Sequence, residues 1–142
     1  LEARVASSGT LIEGAGGLWV PMPGPSWLPD WLLAYEARPI VVARLGLGTI
    51  NHTVLTLDAL ERLGTPAIGV IFNESVPRHA DPSAPDNAAI VRAASNTPIL
   101  GQIRHGSSQL EATPILEQLV YLPMQKFEKI AESTSSPTAP IR

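Results

Sequence analysis

Cysteine is missing from this chain of 142 residues, which excludes disulfides, thiol catalysis and cysteine-built zinc sites. Positive charge is scarce. Two lysines, Lys126 and Lys129, and eight arginines stand against 13 acidic residues, leaving a net charge of -3. A basic face for nucleic acid therefore has little to be built from, and no nucleic-acid partner is expected. No stretch approaches the roughly 18–20 apolar residues of a membrane span, and no secretory pattern opens the sequence. A reducing cytoplasm is the expected setting, with no membrane partner. The three histidines, His52, His79 and His105, lack the paired spacing of zinc motifs. No G-x-S-x-G elbow occurs, so a nucleophilic hydrolase is a poor fit.

What is present is aliphatic and well punctuated. Hydrophobic residues make up 44% of the chain, with 11 glycines and 14 prolines between the apolar runs. This length suits one domain with a real core. The expected domain covers residues 1–131. Glu132 to Arg142 is rich in Ser, Thr and Pro and reads as a disordered tail.

The organising stretch is Leu11-Ile12-Glu13-Gly14-Ala15-Gly16-Gly17. A short apolar run ends in one carboxylate and then in three glycines within four residues. Glycines let backbone N–H groups approach an anion closely, and a carboxylate beside such a turn suits a hard cation such as Mg2+. Upstream, Leu1 to Ser8 reads as the end of a helix stopped by Gly9, and Thr10 to Glu13 as a short buried strand. The proline-rich Leu18 to Pro25 reads as a loop. Ser26 is placed to cap a helix from Leu28 to Ala37, with Asp30 near its positive end and Trp27, Trp31 and Leu32 as its packing face.

Ile40 to Leu45 reads as a strand buried on both faces, because Ile40-Val41-Val42-Ala43 is an unbroken apolar run. It empties into Gly46-Leu47-Gly48-Thr49-Ile50-Asn51-His52-Thr53. Thr49, Asn51 or Thr53 is the expected cap of a helix to Leu63, whose start offers N–H groups and partial positive charge to a carboxylate or phosphate. Ala67 to Phe72 is a further strand leaving through Asn73 and Glu74. Ser75 to Pro85 is a surface loop, and Asp86 caps a helix from Asn87 to Ser95. Pro98 to Ile103 is a strand leaving through Arg104-His105-Gly106. Thr113-Pro114 opens a short helix to Leu119, and Pro123 to Ala131 is a last amphipathic segment.

Strands alternating with helices predict an α/β fold with three layers: a mostly parallel sheet and helices on both faces. Glu13–Gly17, Gly46–Asn51, Asn73-Glu74 and Arg104–Gly106 then all leave strands at their carboxyl ends, where open α/β sheets bind ligands.

These strings, in this order, resemble the dethiobiotin synthetase family. The likeness rests on Leu11-Ile-Glu-Gly-Ala-Gly-Gly-Leu-Trp-Val-Pro21, Arg44-Leu-Gly-Leu-Gly-Thr-Ile-Asn-His-Thr-Val-Leu-Thr56, Ile68-Gly-Val-Ile-Phe-Asn73 and Pro98-Ile-Leu-Gly-Gln-Ile103. It spans Leu11 to Ile103, with weaker support to Leu122. The resemblance implies a P-loop NTPase-like fold and an ATP- and Mg2+-dependent homodimeric ligase acting on 7,8-diaminononanoate and carbon dioxide. It implies Glu13 as a Mg2+ ligand, and Glu13, Gly14, Ala15 and Gly16 beside the nucleotide phosphates. Asn73 is implied at the adenine and Glu74 at the nucleotide, with Arg104, His105 and Gly106 in the base-binding loop and Glu111 on the ribose side. Gly16, Gly17, Leu47, Gly48, Thr49, Ile50 and Asn51 are implied at the diamine substrate.

The departures are as informative. No G-x-x-x-x-G-K-[ST] string occurs in the 142 residues, and neither lysine lies in the motif region. The family's catalytic lysine and its Asp metal ligand have no match, so no catalytic residue is assigned. Arg104 stands where the family tends to have proline. Since the sequence begins at Leu1 rather than Met, it reads as the C-terminal part of a synthetase, incomplete at its N-terminus and completed by a P-loop-bearing segment. The alternatives are a non-catalytic binding or dimerisation module on the same fold, and a related ATP-dependent amidoligase domain.

Overall fold

A computed structural model describes residues 3–6, 9–14, 16–77 and 84–116. The centre is a four-stranded sheet of β5 (Ile40–Arg44), β6 (Gly69–Asn73), β7 (Ile99–Ile103) and β8 (Leu110–Ala112), in that spatial order. The first two pairings are parallel and the last is antiparallel. Two helices make the crossovers: α2 (Thr49–Arg62) joins β5 to β6, and α3 (Ala84–Ser95) joins β6 to β7. Both pack onto one apolar face. Leu57 of α2 and Val91 of α3 meet Ala43, Leu45, Val70 and Phe72 in a single buried cluster, with Ile50, Val54 and Ala88 against it. Sheet and α2–α3 layer account for two of the three expected layers. The α/β, mostly parallel class is therefore the right one.

Sequence explains the pairing. Val41 sits opposite Val70 and Ala43 opposite Phe72, so β-branched and aromatic side chains line up across the parallel ladder. Between β6 and β7 the register slips, with Val70 opposite Ile99 and Ile71 opposite Gly101, leaving Leu100 as an extra residue on β7. Leu100 is fully buried, and a Cβ on Gly69 would collide with its side chain. Glycine is thus required at position 69 by close approach, not by backbone conformation.

Several expectations are corrected. Ala3–Ala6 is a strand (β1), not the end of a helix, and it pairs antiparallel with β2 (Gly9–Ile12) in a separate two-stranded sheet. The stretch leading to Glu13 therefore does not join the parallel sheet, nor is it buried: Leu11 is 78% exposed. A hairpin satisfies these backbone groups locally, since no described strand beyond the β5 edge offers a partner.

The proline-rich loop holds a small hairpin of β3 (Pro21–Met22) and β4 (Ser26–Trp27), so Ser26 is a strand residue and not a cap. Helix α1 (Leu28–Ala34) is shorter than expected, and its start is held by Asp30 accepting the Trp27 N–H at 2.7 Å. Trp27 packs edge-on against Trp19 at 6.5 Å rather than into a core. None of Thr49, Asn51 and Thr53 caps α2; its N-cap is Gly48 at φ +87°. Asp86 falls inside the first turn of α3, two residues after its start. β8 was not foreseen. Pro114 to Leu116 begins the expected C-terminal helical turn, while Pro123–Ala131 and the 132–142 tail lie outside the described residues.

β5 has a strand neighbour on one side only among the described residues. Val42 on it is 64% exposed and Ile40 38%, while Val41 and Ala43 face the core, so β5 is buried on one face and not on both as its unbroken apolar run predicts.

The β7–β8 contact yields a test. A Cβ at Gly101 would stand 2.7 Å from the Glu111 carbonyl oxygen, a backbone atom. Gly101→Ala is expected to lower stability by about 1–3 kcal/mol through overpacking, read as a lower urea midpoint. An unchanged midpoint would mean that β8 does not lie against β7.

Candidate functional site

Three loops leave β5, β6 and β7 at their carboxyl ends, side by side along one edge of the sheet. The register carries through the exits. Arg44 is opposite Asn73 and Asn73 opposite Ile103. The Leu45 N–H then donates to the Asn73 carbonyl at 2.8 Å, and the Glu74 N–H to the Ile103 carbonyl at 2.9 Å. Gly46–Asn51, Asn73-Glu74 and Arg104–Gly106 are thus neighbours, as the alternation of elements implied.

The first loop is held from two sides. Arg44 donates from a guanidinium nitrogen to the Leu47 carbonyl at 3.1 Å. Asn87, buried on α3, donates its amide to the Gly46 carbonyl at 3.3 Å. Gly48 sits at φ +87°, a conformation costly for any residue with a Cβ. Thr49 turns inward, with its Oγ1 3.4 Å from that of Thr53 and its N–H donated to the Gly46 carbonyl. In the first turn of α2 this leaves the N–H groups of Ile50 and Asn51 without an intrahelical acceptor. Leu47 stands 79% exposed at the lip. A first helical turn without an acidic residue presents partial positive charge, which suits a carboxylate or phosphate.

The second and third loops share one clip. Asn73 is exposed and Glu74 is buried, because successive residues point to opposite faces at a strand end. Glu74 accepts a hydrogen bond from the Gln102 amide at 2.6 Å and another from the His105 N–H at 3.2 Å. Arg104 pairs with Glu111 of β8 at 2.5 Å, both half-exposed. That carboxylate, helped by Glu74, raises the Arg104 pKa above its usual value. The Ser107 N–H closes a turn onto the Arg104 carbonyl at 3.0 Å, with Gly106 at φ +74°.

Glu13 is not brought to this edge by the parallel sheet. It is exposed and follows the separate β1–β2 hairpin. Gly14 lies toward α1, where a Cβ would meet Leu28 at 3.6 Å, and Gly16 takes φ +89°; Gly17 is exposed and Ala15 lies outside the described residues. Among the described residues no three His, Asp or Glu side chains gather as a metal site. One exposed carboxylate does not make a magnesium site by itself.

Sequence reasoning missed Asn87, Gln102 and Arg44. Gln102, an amide inside an otherwise apolar strand, carried a readable signal, since a buried amide demands partners. Asn87 carried none, because its partner lies 41 residues away.

A parallel α/β domain with polar and glycine-rich strand exits on one edge is the class that this geometry defines. Within it, the chain belongs to the AAA domain family, whose sequence model matches residues 3–111. Among curated proteins it is similar to the ATP-dependent dethiobiotin synthetase of Anaeromyxobacter dehalogenans strain 2CP-C, 46% identical over 100 residues, which is 70% of this chain and 44% of that protein. It is also similar to the ATP-dependent dethiobiotin synthetase of Akkermansia muciniphila, 34% identical over 110 residues, 77% of this chain and 51% of that one. The biotin biosynthesis bifunctional protein of Bordetella avium is 38% identical over 93 residues, 66% of this chain and 18% of its own. The chain thus spans about half, or less, of the curated relatives it matches.

The clamp on the first loop is testable. Asn87→Ala is expected to cost about 1 kcal/mol for the lost hydrogen bond and to speed amide exchange at Leu47 and Gly48. Unchanged exchange there would show that Asn87 does not hold the loop.

Proposed function

We propose that this chain supplies the base-binding and substrate-carboxylate half of an ATP-dependent dethiobiotin synthetase. The observation that carries the reading is the row of three adjoining strand exits, each bearing a string that resembles this family's, in a chain 46% identical to one such synthetase over 100 residues. In this reading one amine of 7,8-diaminononanoate takes up carbon dioxide as a carbamate, ATP phosphorylates it and leaves as ADP, and the second amine attacks the activated carbon, closing the ureido ring and expelling phosphate. The protein's task is to hold polyanions and bring an activated carboxyl group to an amine.

Each loop receives a part. The start of α2, with Leu47 to Asn51, takes the substrate carboxylate through backbone N–H groups, reaching across a homodimer interface. Exposed Asn73 hydrogen-bonds adenine, and Arg104, His105 and Gly106 border the base. Gly14 and Gly16 are assigned to the phosphates by the likeness of their string to the family's, with Ala15 outside the described residues. Glu13 offers one oxygen to Mg2+, whose remaining ligands would come from phosphate oxygens, water and residues beyond those described. The P-loop string and its lysine, on which phosphate stabilisation in this reading depends, do not occur in this sequence, whose first lysine is residue 126.

Among the described residues β5 has no strand on its outer side, which supports a completing segment. A P-loop is reached from a strand, and a further parallel strand would pair the outer backbone groups of β5, while exposed Ile40 and Val42 leave its second face for a covering layer. A shallow pocket of about 160 Å³ lies along the same edge, lined by Val42, Arg44, His52, Thr53 and Thr56 among others.

The direct test combines this chain with a P-loop-bearing synthetase segment and follows ATP-dependent turnover of 7,8-diaminononanoate. Turnover in the mixture and none with either part alone is expected. ATP binding without turnover would favour a non-catalytic module, and absence of both would remove the reading. In the active mixture Glu13→Gln is expected to abolish turnover with the fold intact, measured beside circular dichroism. Asn73→Ala is expected to weaken ATP by about tenfold, near 1.4 kcal/mol, with diamine affinity unchanged. Equal loss of both would move Asn73 away from adenine.

A further inference from the structure

Glu74 is a carboxylate at the heart of the strand-exit row, and it is 6% exposed. Its two oxygens go to different places. Oε1 accepts from the Gln102 side chain on β7 at 2.6 Å, and Oε2 accepts from the His105 backbone N–H at 3.2 Å. Its own N–H donates to the Ile103 carbonyl at 2.9 Å. One residue therefore ties the exit of β6 to both the strand and the loop of β7. Its neighbour Asn73 faces outward at the end of the same strand.

We infer that Glu74 is a positioning residue that sets nucleobase preference without touching the nucleotide, by fixing the distance between Asn73 and the Arg104–Gly106 loop. This rests on the base-binding role proposed above for that site, and replaces the expectation that Glu74 itself meets the nucleotide. Three features support it. Burial and the engagement of both oxygens leave the carboxylate poorly placed to meet a ligand. A carboxylate accepting a backbone N–H and an amide inside a protein is held firmly, because such bonds strengthen as water is excluded. The loop is also anchored at its far side, through Arg104 to Glu111 on β8. Releasing Glu74 would thus leave the loop tethered at one end and free to swing. Selection among purine bases depends on hydrogen-bond partners held in a fixed frame, and a mispaired polar edge is what rejects the wrong base.

Gln102 belongs to the same device. Lying opposite Glu111 in the β7–β8 register, it donates across to Glu74. It links the β8 side of the loop to the β6 exit.

The experiment has two readouts. In the chain itself, amide exchange at His105 is measured by NMR for wild type, Glu74→Ala, Glu74→Gln and Gln102→Ala. Glu74→Ala is expected to speed exchange at His105 at least tenfold, with the amides of Phe72 and Leu100 still protected. Glu74→Gln, which retains an acceptor for His105, is expected to recover most of the protection. If Glu74→Ala fails to fold, Glu74→Gln and Gln102→Ala carry the test, with a smaller rise at His105 expected from Gln102→Ala. In the completed enzyme, the ratio of ATP to GTP affinity is expected to fall at least fivefold in Glu74→Ala, with diamine affinity unchanged.

Unchanged exchange at His105 across the variants would overturn the clip. A loosened loop with an unaltered ATP-to-GTP ratio would overturn its effect on base choice. If the wild-type mixture binds no nucleotide at all, the base-binding reading has failed and this inference falls with it, while the exchange data still report the clip separately.

Discussion

Parallel pairing of β5, β6 and β7 over a shared apolar face is the constraint on which everything else rests. Parallel strands must be joined by crossovers, so each loop that follows a strand begins at the same edge of the sheet. The burial of Val70, Phe72, Leu57 and Val91 fixes α2 and α3 on that face. The loops before them are thereby held side by side. The site is a consequence of packing: its polar groups are neighbours because the apolar residues behind them are.

That frame is completed by a few polar anchors placed where the ladder ends. Asn87 reaches from α3 to the Gly46 carbonyl, Arg44 reaches forward to Leu47, and Glu74 gathers Gln102 and the His105 N–H. Each adds a hydrogen bond that ties a loop down just past the end of a strand. Asn73, exposed at the end of β6, is left facing outward. Polar groups at this edge thus divide into those that hold the loops and those that face the opening between them.

Much of this was legible in the residues. The unbroken run at Ile40–Ala43 told of a parallel strand, and the alternation of runs with amphipathic segments gave the order of elements. Cap chemistry was less legible. Thr49 looked like a cap, but Gly48 can adopt the left-handed conformation that the turn into α2 demands, and this moves the cap one residue earlier. β8 escaped notice because three residues, Leu110 to Ala112, carry too little periodicity to register. Leu11-Ile12 was misread for a deeper reason. An apolar run shows that a segment seeks burial or pairing but does not name the neighbour. Here the neighbour is Ala3–Ala6 in a hairpin, with Leu11 left exposed. Val42, on the face of β5 turned away from α2 and α3, is exposed in the same way.

The most direct measurement is an amide chemical-shift map of the isotope-labelled chain, mixed with a P-loop-bearing synthetase segment and titrated with ATP. The account predicts that shifts on adding ATP concentrate at Asn73 and Arg104–Gly106, and that shifts on adding the segment alone concentrate along β5. Perturbations confined to α1, to the β3–β4 hairpin or to the outer surface of α3 would contradict it.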